Sequence, residues 1–146
     1  MRSAALKTGT LLAFDPGRRR IGVAVGETVT GSARPLVTLQ ARDGRPDWEE
    51  VRRLIEEWRP EALVIGLPRH ADGTASTTTD IAERLARRLE GRFGLPVHTV
   101  DERLSTAEAR DRLGPARVRK DPPALDREAA AIILETFFAI PEEADG

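Results

Sequence analysis

The chain has 146 residues, of which 40% are hydrophobic and 32% charged, with a formal net charge of −1. This is the composition of a single folded domain able to bury a core. The absence of cysteine excludes disulfides, zinc–thiolate sites and cysteine nucleophiles, and makes the cytoplasm the default compartment. No apolar run approaches a membrane span, so no membrane partner is expected. The near-neutral balance argues against a general polyanion binder but leaves room for a local basic patch. Of the 23 cationic residues, all but Lys7 and Lys120 are arginine, whose planar fork suits phosphate.

Residues 1–9 read as a loose leader, 10–140 as one domain and 141–146 as a tail. Leu11–Phe14 is an unbroken apolar run, as in a strand buried on both faces. It ends on Asp15, and Pro16-Gly17 then signals a turn carrying Arg18, Arg19 and Arg20. Ile21–Val25 reads as a second strand at hairpin distance. Ala33–Leu39 reads as a third, expected at a sheet edge because it contains Pro35. Residues 42–46 read as a loop. Asp47 is the expected N-cap of a helix to about Trp58, whose Trp48, Val51, Leu54, Ile55 and Trp58 share one face. Both tryptophans are expected to pack and not to stack on bases.

Pro60 ends that helix, and Ala62–Gly66 is a short buried strand followed by a turn-rich segment, 67–76. A helix carrying Ile81, Leu85, Leu89 and Phe93 closes near Gly94, with Pro96 beyond. Val97–Val100 is the next strand, running into Asp101, Glu102 and Arg103. Ser105 and Glu108 have the spacing of a capping box and should open a short helix to about Leu113. Residues 114–123 read as a loop. A final helix is expected from about Asp126 to Phe138. Three strands on short turns followed by alternating helices and strands predict an α/β domain. Its five-stranded mixed sheet joins an antiparallel meander of the first three strands to parallel strands, with helices on both faces.

Asp15 ends the first strand, Glu102 follows the last, and Asp126 opens the last helix. If the first and last strands are parallel neighbours, their C-terminal ends share the sheet edge where open α/β sheets place ligands. Three carboxylates gathered there repel one another unless a cation lies between them. Oxygen-only ligation suits Mg²⁺ or Mn²⁺, and a pair of such ions supports phosphodiester hydrolysis. The spacing leaves simpler roles equally open. Asp15 caps its own turn in that reading, Asp126 is a helix N-cap, Glu102 pairs with Arg103 or Arg127, and Asp101 is a turn residue.

Four motifs occur in order: Phe14-Asp15-Pro16-Gly17 through Arg20-Ile21-Gly22-Val23-Ala24, then Gly66-Leu67-Pro68 with Asp72-Gly73. Asp101-Glu102-Arg103-Leu104-Ser105-Thr106 follows, and last Asp126 with Ala129-Ala130 and Ile133-Leu134. Together they closely resemble the YqgF (RuvX) family of bacterial RNase H-like nucleases, over about residues 10–140. The resemblance implies an RNase H-like fold and a cytoplasmic, metal-dependent nuclease acting in 5′-end maturation of pre-16S ribosomal RNA. Members were formerly regarded as Holliday-junction resolvases. Asp15, Glu102 and Asp126 match the family's metal-binding carboxylates, with Asp101 a weaker candidate, and two Mg²⁺ or Mn²⁺ ions are implied. The expected partners are precursor rRNA, branched DNA and ribosomal precursor particles, with the chain a monomer or weak dimer. Arg18, Arg19, Arg20, Arg69, Arg103 and Lys120 are the expected substrate contacts. His70 in the strand-end loop is expected to be a bystander and His98 structural. The chain departs from the family in placing Pro122-Pro123-Ala124-Leu125 before Asp126, where members often carry Lys or Gly, so Lys120 stands further upstream.

Three other functions fit parts of the pattern. A resolvase of four-way DNA junctions would use the same chemistry but needs two active sites. An ATPase of the actin and sugar-kinase superfamily shares the Asp-x-Gly turn but needs a second domain. A non-catalytic RNA-binding module would keep the fold without metals.

Overall fold

A computed structural model describes residues 9–68, 77–102 and 105–140. Six strands, β1 (Thr10–Asp15), β2 (Arg20–Glu27), β3 (Ser32–Arg42), β4 (Arg45–Pro46), β5 (Ala62–Leu67) and β6 (Val97–Asp101), form one mixed sheet in the order β4-β3-β2-β1-β5-β6. The apolar run Leu11–Phe14 is fully buried, as a strand covered on both faces requires. β1 pairs antiparallel with β2 and parallel with β5, which in turn pairs parallel with β6. The first and last strands are therefore not the neighbours expected, because β5 stands between them, but the C-terminal ends of β1, β5 and β6 still share one edge, and Asp15 lies on it.

The expected five-strand sheet gains β4 from residues that read as a loop. Asp43 (φ 51°) and Gly44 (φ 83°) turn the chain back so that Ala41 pairs with Pro46 and Arg42 with Arg45. A two-residue hairpin turn of this kind needs positive φ at both positions, and Asp-Gly is among its favoured pairs. Pro35 marks a bulge. Val23 pairs with Val37 but Ala24 with Pro35, leaving Leu36 as the extra residue. Along most of its length β3 lies at the edge, as expected, because β4 reaches only Ala41 and Arg42.

Helices cover both faces. On one, α1 (Trp48–Trp58) and α2 (Thr77–Phe93) pack Val51, Ala82, Leu85 and Leu89 onto Leu12, Phe14, Ile21, Val23 and Val25. Asp47 caps α1, accepting from the Glu49 N–H at 2.9 Å. Both tryptophans pack, Trp48 beside Phe93 and under Arg92, and Trp58 under Arg34. On the other face, α5 (Pro123–Ala139) sets Ile133, Leu134 and Phe137 against Leu11, Ala13, Ala62 and Val64. Each large apolar side chain buried here stabilises the fold by about 1.5–3 kcal/mol. α3 (Ser105–Leu113) rides on α5, with Ala109 against Ala129 and Ile132.

Two helix boundaries differ from expectation, both through proline. Pro115 opens a short helix, α4 (Pro115–Lys120), inside the expected loop. Pro123 opens α5 three residues before Asp126. Proline is well tolerated at the first helical position, where its missing N–H would have had no helical partner. Asp126 is therefore a first-turn residue and not the N-cap.

Candidate active site

β1 delivers Asp15 to the sheet edge, opposite Gly22 of β2. α5 crosses the sheet against that glycine. A Cβ on Gly22 would lie 1.9 Å from the Asp126 carbonyl oxygen and 2.7 Å from the Arg127 nitrogen. The backbone of Asp126 can lie beside Asp15's strand partner only because residue 22 has no side chain. The start of α5 is fastened to β3, since the Thr38 hydroxyl donates to the Pro123 carbonyl at 2.7 Å. Arg127 adds to this by donating to Asp121 (2.7 Å) and to Thr38 (3.3 Å). Arg127 is thus committed to the helix start and is not the partner of Glu102.

Glu102 follows β6, and its N–H reaches the Leu67 carbonyl at 3.3 Å, extending the β5–β6 pairing by one residue. Its side chain turns inward, 8% exposed. Gly66 leaves the space it fills, since a Cβ there would meet the Glu102 carboxyl carbon at 3.1 Å and the end of Ile133 at 2.4 Å. The Ser105 hydroxyl donates to Glu102 Oε2 at 2.8 Å and lies 2.9 Å from the Glu102 carbonyl oxygen. This changes the role expected for Ser105. Its hydroxyl holds the carboxylate, while Glu108 pairs with Arg112, so the capping box is not made.

Asp15 and Glu102 share a hydrogen bond between their carboxyls. Burial, the Glu102 charge, that shared bond and the Asp126 charge together push Asp15 well above its ordinary value of 3.8. Burial also raises Glu102, with the Asp101 charge adding to it, while the hydrogen bonds from Ser105 and Asp15 oppose the rise. Asp15 therefore binds its proton more tightly than a free carboxyl does, and Glu102 is raised beside it. Asp126 is raised by burial and held back by Arg20, whose Nε lies 2.8 Å from Asp126 Oδ2. That contact pairs charges without aligning a donor, because the buried Oδ2 takes no hydrogen bond of acceptable geometry.

The three carboxylates thus occupy one end of the sheet, Asp15 and Glu102 in contact and Asp126 near enough to repel Asp15. Among the described residues no three His, Cys, Asp or Glu side chains are gathered closely enough to cage a metal as they stand. The donor chemistry nonetheless fits a hard divalent cation: only oxygen ligands, a half-buried acid against a buried one, and a buried acceptor without an aligned donor.

Of the expected substrate contacts, Arg20 faces Asp126, and Arg18 and Arg19 are exposed in the turn beside it. Lys120 is exposed at the end of α4, and among the described residues no contact ties it to the carboxylates. Asp101 ends β6, with its side chain exposed. Arg69, His70, Asp72, Gly73 and Arg103 lie outside the described residues, as do most of the expected leader and the whole tail. His98 packs its ring 5.1 Å from that of Phe137, as a structural strand residue would. Spacing alone did not point to Ser105, Gly22 or Gly66 as parts of the site. All three lie inside the four ordered motifs, which was the available signal.

Within known proteins, the model of the RuvX family, described as Holliday junction resolvase, matches residues 9–140. A protein of Azotobacter vinelandii named "Putative pre-16S rRNA nuclease" is 54% identical over 133 residues, covering 88% of this chain and 92% of that one. One of the same name from Enterobacter sp. (strain 638) is 49% identical over 135 residues, covering 90% and 96%. Among solved structures, RuvC of T. thermophilus in complex with a Holliday junction substrate aligns at a TM-score of 0.50 and 18% identity, over 89% of this chain and 93% of that one. The fowlpox virus resolvase in its junction complex aligns at 0.50 and 11%, over 88% and 96%. These two are likenesses of fold, the RNase H-like architecture implied by the motifs. With the family pattern matched from Gly9 to Ile140 and about half of all positions shared with its curated relatives, the chain belongs to the RuvX family.

Proposed function

We propose that this chain is a metal-dependent endonuclease that hydrolyses phosphodiester bonds, with 5′-end maturation of pre-16S rRNA in the cytoplasm as its task. The observation that carries the reading is the carboxyl pair at the sheet edge, half-buried Asp15 against buried Glu102. Bringing two acids together away from water destabilises a fold unless a proton or a cation compensates the charge. The name shared by relatives about half identical to this chain supplies the substrate.

Asp15, Glu102 and Asp126 are the residues that would hold Mg²⁺ or Mn²⁺, with two ions the expected number. When bound, such ions supply an activated water and charge stabilisation for the leaving oxygen. The protein's own part is placement. Ser105 fixes the Glu102 carboxylate, and Arg20 holds Asp126 at the mouth of the site. Ile133, packed beside Gly66, keeps bulk water from the inner side. Arg18 and Arg19, and with them Arg69, Arg103 and Lys120, are the candidates for holding substrate phosphates.

Purified protein with Mg²⁺ or Mn²⁺ should cleave an RNA carrying the 5′ precursor segment of 16S rRNA, and Asp15→Asn should not. Equal cleavage by the two proteins overturns the reading. A four-way DNA junction belongs in the same assay, because the description of the family model favours that substrate as the second reading. A junction resolvase needs paired active sites, so junction cleavage must come with a dimer in sedimentation.

A further inference from the structure

We propose that the β1–β2 turn and the β3–β4 hairpin together form an arginine platform that grips the phosphate backbone of a double-helical RNA stem beside the cleavage site. This rests on the nuclease reading above and names the form of nucleic acid that the site takes.

The two turns are built as one surface. The Ala41 N–H donates to the Arg19 carbonyl at 2.8 Å, and the Gly44 N–H to the Arg18 carbonyl at 2.9 Å. These bonds use only backbone and leave both guanidinium groups free. The hairpin sets Arg42 directly across from Arg45, a like-charge cross-strand pair that weakens a hairpin. Gly44 seats the turn on α2, where a Cβ would meet Ile81 at 2.3 Å. A narrow cleft there brings Arg84 and Arg88 to the same surface. Asp43, at the hairpin tip, is an acidic exception.

None of these six arginines makes an ion pair with a described residue, unlike Arg20, Arg52, Arg112 and Arg127. Arg52 lies between Glu49 and Glu56, and Arg112 among Glu108, Glu128 and Glu135. Six guanidinium groups on one turn-and-hairpin surface, with Asp43 the acid among them, make a local cationic patch in a chain whose net charge is −1. The patch lies at the end of the sheet carrying Asp15, since Arg20 opens β2 opposite Gln40. β4 lies three strand spacings from β1, roughly 14 Å.

The aromatic residues decide between single strand and duplex. Single-stranded nucleic acid is held by stacking bases on aromatic rings, whereas RNA duplexes are read through phosphates and 2′-hydroxyls. The chain has two Trp, four Phe and no Tyr. Trp48 packs on Phe93, Phe137 on Phe138, Trp58 lies under Arg34, and Phe14 is buried. The protein has backbone-gripping cations next to its acids and no exposed Trp or Phe ring on which to stack a base.

The test measures binding of the full chain in EDTA, by fluorescence anisotropy, to an RNA stem-loop of about 16 base pairs and to an unstructured strand of equal length. The stem should bind more tightly. In Arg42→Gln/Arg45→Gln the log–log slope of affinity against salt should become shallower by about two, one for each guanidinium taken away from a phosphate. Arg18→Gln/Arg19→Gln should do the same, and because those residues hold the hairpin only through their carbonyls, folding is spared. Arg34→Gln, at the far end of the sheet, should leave the slope unchanged. Tighter binding of the single strand, or unchanged slopes in both double variants, overturns the platform. Intact stem binding without cleavage in Mg²⁺ or Mn²⁺ instead overturns the nuclease reading and leaves the platform standing.

Discussion

The two halves of the acidic site keep their carboxyls in opposite ways. On the β1 and β6 side, half-buried Asp15 meets buried Glu102 with no cationic partner among the described residues, joined by a shared hydrogen bond and steadied by Ser105. On the α5 side, Asp126 is only partly enclosed and has Arg20 at 2.8 Å. The first half is costly at neutral pH, because an acid buried against another acid either binds a proton or destabilises the fold. The second half is cheap. A protein selected only for stability would have given the inner pair a cation of its own, and Arg127, close by, is spent instead on Asp121 and Thr38. In the proposed nuclease, the inner pair is the part of the site whose arrangement answers to chemistry.

The contrast breaks most visibly at Asp15. Asp15→Asn should lower cleavage by about 10²–10³-fold, the scale on which removing one transition-state charge contact acts. In metal-free protein the same change should raise stability at neutral pH, since the amide is a permanent donor to Glu102 and carries no charge. The pH dependence follows from the direction of the shift. Asp15 binds its proton more tightly folded than unfolded, so its stabilising contribution is complete below 3.8 and is lost as pH rises through the higher folded value. Thermal melts in EDTA should show wild type losing ground to Asp15→Asn as pH rises from about 4 towards 8. Melting curves that stay parallel across that range would mean that the inner pair is not held together by a proton.

Next in size is Gly22→Ala. The added methyl would overlap the Asp126 carbonyl oxygen and the Arg127 nitrogen, both backbone atoms that cannot swing aside. The start of α5 must lift from β2, a strain of typically about 1–3 kcal/mol. Chemical denaturation should report that loss, and cleavage should fall with it because Asp126 moves away from Asp15. Unchanged activity in this variant would show that Asp126 is not part of the acidic site.

The sheet meander and both tryptophans' packing roles were legible from apolar runs and turn residues alone, whereas spacing left the meeting of the three acids at one edge as one of two equally open readings. Their legibility has a physical source, since burial on both faces leaves β1 no polar position before Asp15. Three things were obscured by competing local signals. Asp43-Gly44 is a hairpin pair, but with only Arg45 and Pro46 after it the stretch 42–46 read as a loop. Ser105 with Glu108 spells a capping box, yet a buried carboxylate three residues earlier wins the hydroxyl. Asp126 looks like a cap because Pro122-Pro123 precedes it, although proline starts helices well. In each case a tertiary partner, invisible in one-dimensional spacing, decided between two locally acceptable outcomes.

Ser105→Ala separates support from chemistry on the inner pair. The variant leaves a buried carboxylate oxygen without its side-chain donor, which costs about 1–3 kcal/mol. Because the Ser105 bond holds Glu102 down, the acid should titrate higher without it. The acidic limb of the pH–rate profile should move up while the plateau rate changes little. Ser105→Thr, which keeps the hydroxyl, should restore the limb. An unmoved limb in Ser105→Ala would mean that Glu102 does not control the profile.

The smallest effect belongs to the compensated half. Arg20→Gln removes a charge contact whose partners are 40% and 22% exposed, a setting in which ion pairs contribute about 0.2–1 kcal/mol. Burial already raises Asp126, and Arg20 opposes the rise, so the variant should raise it further and add a modest loss of metal-free stability as pH climbs through the new value. Bound metal should erase most of that difference, because a cation at the three carboxylates takes over the compensation from the guanidinium. Tm for wild type and Arg20→Gln should therefore differ in EDTA and converge in saturating Mn²⁺. A gap that stays the same with and without Mn²⁺ would mean that Asp126 keeps its arginine when the metal arrives, and would remove Asp126 from the set of ligands while leaving Asp15 and Glu102 in place.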